Sequence, residues 1–406
     1  MEQVMNSRTK EIPENIVKEE ITPLTKEFLI KKIKSAEKNN VGNINRTLIL
    51  ASEDGTRYIL QMINKNVFKN PEEVMQNIRR VSRYLEREVL QEGGNPKREV
   101  LHPIQTIDGA CYIVDKNGNY WRMYDCIENA ITYDEVDSVE KAYKAGEAFG
   151  RFLKRLSNFP AEKLHEAIPD FHNTPKRFVD FENAILADKA GRLRESAKNP
   201  ENPLKEAIEY IIKNKEELRL IELGKLSGAL PTRVTHNDTK INNVMIDKDT
   251  GEAICVIDLD TVAPDSMLVD FGDAIRSGCN KAGEEPENIE DAKLDIDLFE
   301  GYVKGYLSET ANCLTKGEIE NLHKAPRILT MELAMRFITD YLNGDEYFQL
   351  KPGQPLDFNL KRGLVQLNLA KDMAEKEKEM AEIVAREVTR EDMHKTTPTV
   401  SDDYVL

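Results

Sequence analysis

The sequence predicts an α+β chain of two lobes, a small N-terminal lobe with a β-sheet and one major helix, and a larger, mainly helical C-terminal lobe. Three observations carry this. A length of 406 residues exceeds what one hydrophobic core usually organises. Before residue 130, alternating apolar runs are punctuated by glycine-bearing turns; from Ser138 onward the apolar period becomes helical, with one β-rich island at 233–262. The expected division is 1–130 for the first lobe (about 1–22 an extension), 131–390 for the second, and 391–406 as a polar tail.

In chain order, residues from about Pro23 to Lys38 read as a helix. The run NNVGNINRTLILASEDGTRYILQMIN then reads as two strands joined by a Glu-Asp-Gly-Thr turn. NPEEVMQNIRRVSRYLEREVLQEGG predicts a helix, with Asn70 as cap, Pro71 at the first helical position, acidic residues in the first turn and glycines at the end. Two further strands flank the Asn-Gly turn of GACYIVDKNGNYWRMYDCIENA. Beyond Ser138, apolar residues from Val139 to Leu156 share one helical face, and long helices are expected near 175–197, 201–225, 289–311, 316–343 and 366–388.

Lys and Arg number 57 against 72 Asp and Glu, a formal charge of 57 − 72 = −15, which disfavours nucleic acid and anionic membrane as partners. Five scattered cysteines, without a CxxC pair, indicate neither a disulfide frame nor a zinc site and suit a reducing cytoplasm. No signal-peptide core and no 18-residue apolar run occurs, so a soluble protein is expected.

The chemistry concentrates in VTHNDTKINNVMID, Val234 to Asp247, and in EAICVIDLDTV just beyond it. Strand alternation would put Val256, Asp258 and Asp260 on one face. Were Asp238, Asp258 and Asp260 to converge, carboxylates about 4 Å apart would repel by roughly 4 kcal/mol per pair at an effective dielectric near 20, so a cation is expected among them. Carboxylates plus the Asn243 amide are oxygen donors that suit Mg²⁺ rather than zinc. The His-x-Asp-x-x-x-x-Asn spacing followed by a further aspartate matches phosphotransfer machinery, with Asp238 as the base.

HNDTKINNV and VIDLD resemble the aminoglycoside phosphotransferase and choline kinase group of protein-kinase-like small-molecule kinases. An ordered set that adds GNINRTLIL, YILQMINKNVF, YWRMYDCIENAITYD, EAIPDFHNTPKRF, VIDLDTVAP, DFGDAIR and MELAMRFITDYLNGDEYF resembles the N-acetylhexosamine 1-kinases, over about residues 25 to 385. The resemblance implies a bilobal protein-kinase-like fold with ATP as co-substrate. Asp238 would take the hydroxyl proton while Asn243 and Asp258 hold Mg²⁺; Asp260 either joins them or is a strand end facing outward. His236 would fix the loop by hydrogen bonding, and Asp270 and Asp273 would cap and orient it. Gly42, Asn43, Asn45 and Thr47 would cover phosphates, while backbone near Asp125 and Ile127 would read adenine.

A departure from the family pattern is Gln61, which stands where many relatives carry a phosphate-pairing lysine; Arg57, Lys65 and Lys69 are the nearby cations, and Glu86 and Glu88 lack the usual partner. For the acceptor, the resemblance raises Arg336 and Tyr347 to sugar contacts, with Asp340 and His172 secondary, although Arg336 and Asp340 at i,i+4 spacing would by themselves read as a surface ion pair. The expected activity is ATP- and Mg²⁺-dependent phosphorylation of the anomeric hydroxyl of an N-acetylhexosamine by a monomer. Another small alcohol (choline, an aminoglycoside or a plain hexose) is the alternative acceptor, and a nucleotide-binding pseudokinase the alternative class.

Overall fold

The computed structural model describes residues 9–39, 44–199 and 201–396. Gly42 and Asn43, expected at the phosphates, and the tail from residue 397 lie outside the described residues. The chain forms two compact units, and it passes between them more than once. One comprises the residues through Ile131 with Phe159–Pro169 and Met245–Pro264; the other comprises Thr132–Asn158, Asp170–Val244 and the residues from Asp265.

The first unit holds a six-stranded sheet in which β1 (Thr9–Glu11), β2 (Ile33–Asn39), β3 (Arg46–Ser52), β4 (Arg57–Met62), β5 (Ile113–Val114) and β6 (Tyr120–Asp125) lie in the order β1-β2-β3-β4-β6-β5. All the pairings are antiparallel, and Gln61 on β4 sits opposite both Thr47 on β3 and Arg122 on β6. The β3–β4 hairpin closes at the expected Glu-Asp-Gly-Thr turn because Gly55 takes a φ of +88° at no steric cost. Apolar residues alternating along these strands, among them Leu48, Leu50, Leu60, Trp121 and Met123, form its core.

The helix expected over 23–38 is not there. Only Thr22–Thr25 is α-helical in that stretch, and Ile33–Asn39 is β2, in register with β3 from Ile33↔Ser52 to Asn39↔Thr47. Lys and Glu suit a helix in isolation, but Ile33 and Ala36 are buried in the sheet core while Lys34, Glu37 and Lys38 face water. Tertiary pairing overrides propensity. Helix α1 (Pro71–Gln91) starts and ends as expected and buries Val74, Ile78, Val81, Leu85 and Val89 along one stripe. The Asn70 side chain, however, donates to the Glu73 carboxylate instead of capping. A second, three-stranded sheet joins β7 (Ala130–Ile131), β9 (Val244–Asp247) and β10 (Ala253–Val256).

The second unit holds α2 (Val139–Arg155), α3 (Thr174–Ala187), α4 (Met267–Gly278), α5 (Ile296–Thr310), α6 (Ala325–Asn343), α7 (Phe358–Glu375) and α8 (Glu377–Thr396), with β8 (Arg233–Thr235) against α4. Several of the long helices expected are interrupted. The segment near 175–197 breaks at Asp188 (φ +38°) and Gly191, and the segment near 201–225 divides around Asn214. Helices α2 and α5 cross closely enough that a Cβ on Gly146 would lie 2.2 Å from the Tyr302 carbonyl oxygen, and one on Gly305 would lie 2.0 Å from that of Tyr143. All five cysteines are free thiols. No helix among the described residues is long and apolar enough to cross a membrane.

Candidate active site

In the second unit, β8 delivers the chain into the His-Asn-Asp loop. Arg233 anchors that strand, setting Nε and Nη2 against the two oxygens of the fully buried Glu318 at 2.6 and 2.8 Å. His236 follows, fully buried, its ring edge-on to Phe149 and Phe152 at 5.6 and 5.9 Å, and its Nδ1 accepts the Asp238 amide at 3.3 Å. Asn237 then turns left-handed at φ +64°, a conformation asparagine tolerates better than most residues. The turn is held by Asp270 on α4, whose carboxylate accepts the amides of His236 and Asn237, both at 2.7 Å, while its carbonyl accepts the Thr239 hydroxyl at 2.7 Å.

Past this turn, Asp238 is partly exposed, with 28% of its side-chain surface open. Lys240 approaches its Oδ1 at 3.1 Å, and Asn243, on the 3₁₀ turn Ile241–Asn243, donates its amide to the Asp238 carbonyl at 2.9 Å and to Oδ2 at 3.3 Å. The carboxylate beside it keeps the Lys240 ammonium protonated, its pKa raised by Asp238 against the opposing effect of burial. With its NH₂ committed to Asp238, Asn243 has Oδ1 as its remaining side-chain acceptor. Asp273 pairs with Arg276 at 2.7 Å.

His172 ties this loop to α6. One ring nitrogen lies 3.3 Å from the Asn237 carbonyl, the other 2.9 Å from Glu332, whose second oxygen accepts the Thr174 hydroxyl at 2.6 Å. Burial opposes a charge on the buried imidazole, yet Glu332 outweighs it and the pKa is raised, so both nitrogens can donate. One turn along α6 from Glu332, Arg336 lies 5.3 Å from the ring centre of Phe171, 5.9 Å from Tyr347 and 5.8 Å from Phe348. Arg336 and Asp340 form no ion pair. The Asp340 carboxylate, expected to be a secondary acceptor contact, is buried and instead accepts the amides of Tyr347 at 2.9 Å and Phe348 at 2.7 Å, fixing the loop that carries Tyr347. Arg177 lies close enough to Arg336 that its own pKa is lowered, first by burial and then by that neighbouring charge.

In the first unit, the strand ends at Val256, so the expected same-face alternation through Asp260 fails. Asp258 turns left-handed at φ +61° and starts the 3₁₀ turn Leu259–Thr261. Asp260 is buried against Arg122 and accepts the Asn45 amide at 2.7 Å, so it is not an outward-facing strand end. Gln61 accepts Arg122 Nε and Nη2 at 3.1 and 2.9 Å and donates to Thr47 at 3.1 Å. Of the cations expected nearby, Arg57 is occupied by Glu128 and Lys65 by the Gly118 carbonyl at 2.6 Å. Asp125 is exposed at the end of β6, and Ile127 is buried with Ala130 and Cys255.

Residues 35–307, more than half of the chain, match the model of the phosphotransferase enzyme family. The chain belongs to that family. Solved structures similar to this phosphotransferase include a microcompartment-associated aminopropanol kinase (12% identity, TM-score 0.56, covering 89% of this chain and 98% of that one). Others are an amicoumacin kinase in complex with AMP-PNP, Ca²⁺ and Ami (15%, 0.53, 90% and 96%) and an aminoglycoside phosphotransferase from Alicyclobacillus acidocaldarius (13%, 0.51, 93% and 97%). At such identities they speak for the fold, and the sheet-bearing first unit and helical second unit match these protein-kinase-like relatives. The coarse activity follows from the family: a small-molecule phosphotransferase with an alcohol group as acceptor. The polar groups of this phosphotransferase that sequence reading passed over include Arg122, Thr174, Arg177, Lys240 and Glu332.

Proposed function

We propose that the protein transfers the γ-phosphoryl group of ATP to the anomeric hydroxyl of an N-acetylhexosamine, giving the sugar 1-phosphate. The observation that carries this reading lies within the second unit: Asp238 stands partly exposed on a loop pinned by Asp270, and the His172–Glu332 link runs from that loop to Arg336. Asp238 takes the proton of the attacking hydroxyl, which at an anomeric carbon is more acidic than an ordinary sugar alcohol, so a carboxylate base suffices. Lys240 beside it neutralises charge on the phosphoryl oxygens. Arg336 donates to ring hydroxyls or the N-acetyl carbonyl, and Tyr347, 62% exposed, donates to a hydroxyl.

Asn243 and Asp258, assigned by their order along the chain, would hold Mg²⁺. The donor chemistry fits: one carboxylate and one amide oxygen, the remaining sites being left to phosphates and water. Among the described residues, no group of three or more His, Cys, Asp or Glu side chains could hold a metal by itself. The cation would neutralise charge between the β- and γ-phosphates. In the first unit, Asn45, Thr47 and Gln61 would border the phosphates, and the chain near Asp125 and Ile127 would meet adenine.

Amino alcohols are the second reading, since relatives of this fold are named for such acceptors. A cationic acceptor calls for acidic or open aromatic groups, whereas here the aromatic rings already surround Arg336, with Arg177 close by. A ³¹P NMR panel of N-acetylglucosamine, N-acetylgalactosamine, galactose, glucose, choline and an aminoglycoside with ATP and Mg²⁺ tests the choice. Sugar 1-phosphate from the N-acetylhexosamines is expected; phosphorylation of the cationic alcohols alone would overturn the substrate assignment.

A further inference from the structure

In protein-kinase-like folds a strand lysine contacts the phosphates and pairs with a glutamate on the neighbouring helix. Here the β4 position holds neutral Gln61, and the helix residue that meets the nearest guanidinium is Met75 of α1, its sulfur 4.0 Å from Arg122 Nη1. The charge has moved one strand across, to Arg122, the residue opposite Gln61 on β6. Thr47, Gln61 and Arg122 form a hydrogen-bonded row across β3, β4 and β6. Arg122 ends that row on Asp260, whose other oxygen receives Asn45. Arg122 and Asp260 are 1% and 3% exposed. Asp260 lies two residues beyond Asp258, on a turn also tied to α1 through the Asn77 amide and the Val262 carbonyl, 3.0 Å apart.

A fully buried guanidinium cannot be surface decoration, and its geometry is that of a clamp. It neutralises one of the two carboxylates on a turn that would otherwise repel a polyanionic nucleotide, and it fixes the turn from which Asp258 projects. We propose that Arg122 is the positioning residue of the nucleotide half of the site, replacing the strand lysine, and that Asp260 is its counter-ion, leaving Asp258 to serve the cation. This rests on the phosphotransferase reading above.

Binding of Mg²⁺·AMP-PNP, followed by calorimetry on the full chain, tests it without reference to the acceptor. Arg122→Gln alone strands the Asp260 charge and lowers Tm, so the informative variant is Arg122→Gln with Asp260→Asn, which removes both charges. Tm should return to near wild type while nucleotide affinity falls about tenfold, because the turn that carries Asp258 loses its clamp. Adding Gln61→Lys, which restores a cation on the adjacent strand, should recover most of that loss. Arg122→Lys, which keeps a charge but loses the fork that holds Gln61 and Asp260 together, should bind nucleotide more weakly than wild type and more tightly than the paired variant. In Mg²⁺ titrations at fixed AMP-PNP, Asp258→Asn should raise the half-saturating concentration about tenfold and the paired variant should raise it by less.

Nucleotide affinity unchanged in the folded paired variant, or no recovery from Gln61→Lys, would overturn the charge assignment. A Mg²⁺ shift in the paired variant equal to that of Asp258→Asn would overturn the counter-ion role of Asp260. Wild-type protein that bound no nucleotide would instead remove the phosphotransferase reading, and this inference with it.

Discussion

Replacing Glu332 with Gln tests whether the His172 link holds the catalytic loop by charge. The carboxylate is 1% exposed and accepts His172 at 2.9 Å and Thr174 at 2.6 Å. Losing the charge-assisted bond to an imidazolium costs about 1.5–3 kcal/mol, and weakening the hydroxyl bond about 0.5–1 kcal/mol more, hence roughly 2–4 kcal/mol in all. This is below the roughly 3–5 kcal/mol of a buried pair whose surviving charge is trapped, because His172 can release its proton.

The loss should depend on pH. The Glu332 carboxyl is held below its usual 4.5: burial works to raise it, but His172, and then Arg336 and Thr174, outweigh burial. Its share of stability is therefore present above about pH 4.5 and lost on acidification. The His172 pKa is raised above 6.5, so its share is present below that value and lost as pH climbs through the raised folded value. The wild-type advantage should peak between about pH 5 and 6.5 and shrink as pH climbs through the raised value of His172. Urea unfolding at pH 5.5, 7 and 9 measures it; at a slope of roughly 3 kcal/mol/M, the midpoint at pH 5.5 should fall by about 1 M. A difference under about 1 kcal/mol, or one constant across pH, would refute the charged link.

Asp238→Asn should lower kcat by about 10²–10⁴-fold with Mg²⁺·AMP-PNP affinity retained, the signature of a lost base; full turnover in a coupled ADP-release assay would refute the role. Arg336→Leu should raise the acceptor KM about tenfold and leave the ATP KM unchanged, as expected for a contact made only to the acceptor, and the reverse pattern would count against it. Gly146→Ala places a methyl 2.2 Å from the Tyr302 carbonyl and forces α2 and α5 apart. Thermal melts should show a loss of about 1–3 kcal/mol.

What the sequence made legible is what local chemistry decides. The 46–62 hairpin follows from alternation about one glycine turn, and α1 from a proline start, acidic first turn and glycine end. Within the loop from His236 to Asn243, the left-handed turn at Asn237 and the Asn243 amide on Asp238 are contacts of near neighbours. Long-range contacts were not legible. Strand β2 looked helical because Lys and Glu dominate its wet face, and only pairing with β3 identifies it. Asp258 leaves the strand alternation by one positive φ, which periodicity does not report. His172 finds Glu332 160 residues away. Proximity along the chain points to Arg57, Lys65 and Lys69 for the cation that Gln61 lacks, whereas the sheet sets Arg122 opposite it as the cross-strand partner.

Asp270 sets fold stability against activity. Burial pushes its carboxyl up from 3.8 to about 6, against the opposing pull of His236 and the two amides it accepts. A raised folded pKa means that the native state holds this proton more tightly than the unfolded chain. Its contribution to stability is therefore greatest below about pH 3.8 and declines by roughly 3 kcal/mol as pH rises to 6. The loop needs the opposite state. A carboxylate offers both oxygens to the His236 and Asn237 amides, whereas the acid directs a hydroxyl proton at one of them and loosens the turn that aims Asp238. Between pH 5 and 7, turnover should rise along an acid limb with an apparent pKa of about 6 while this term in stability falls. Asp270→Asn should flatten that limb and lower kcat without moving the ATP KM. A limb near 6 that persisted unchanged in a folded Asp270→Asn variant would show that another group titrates there, and the loop would then be indifferent to the charge that Asp270 carries.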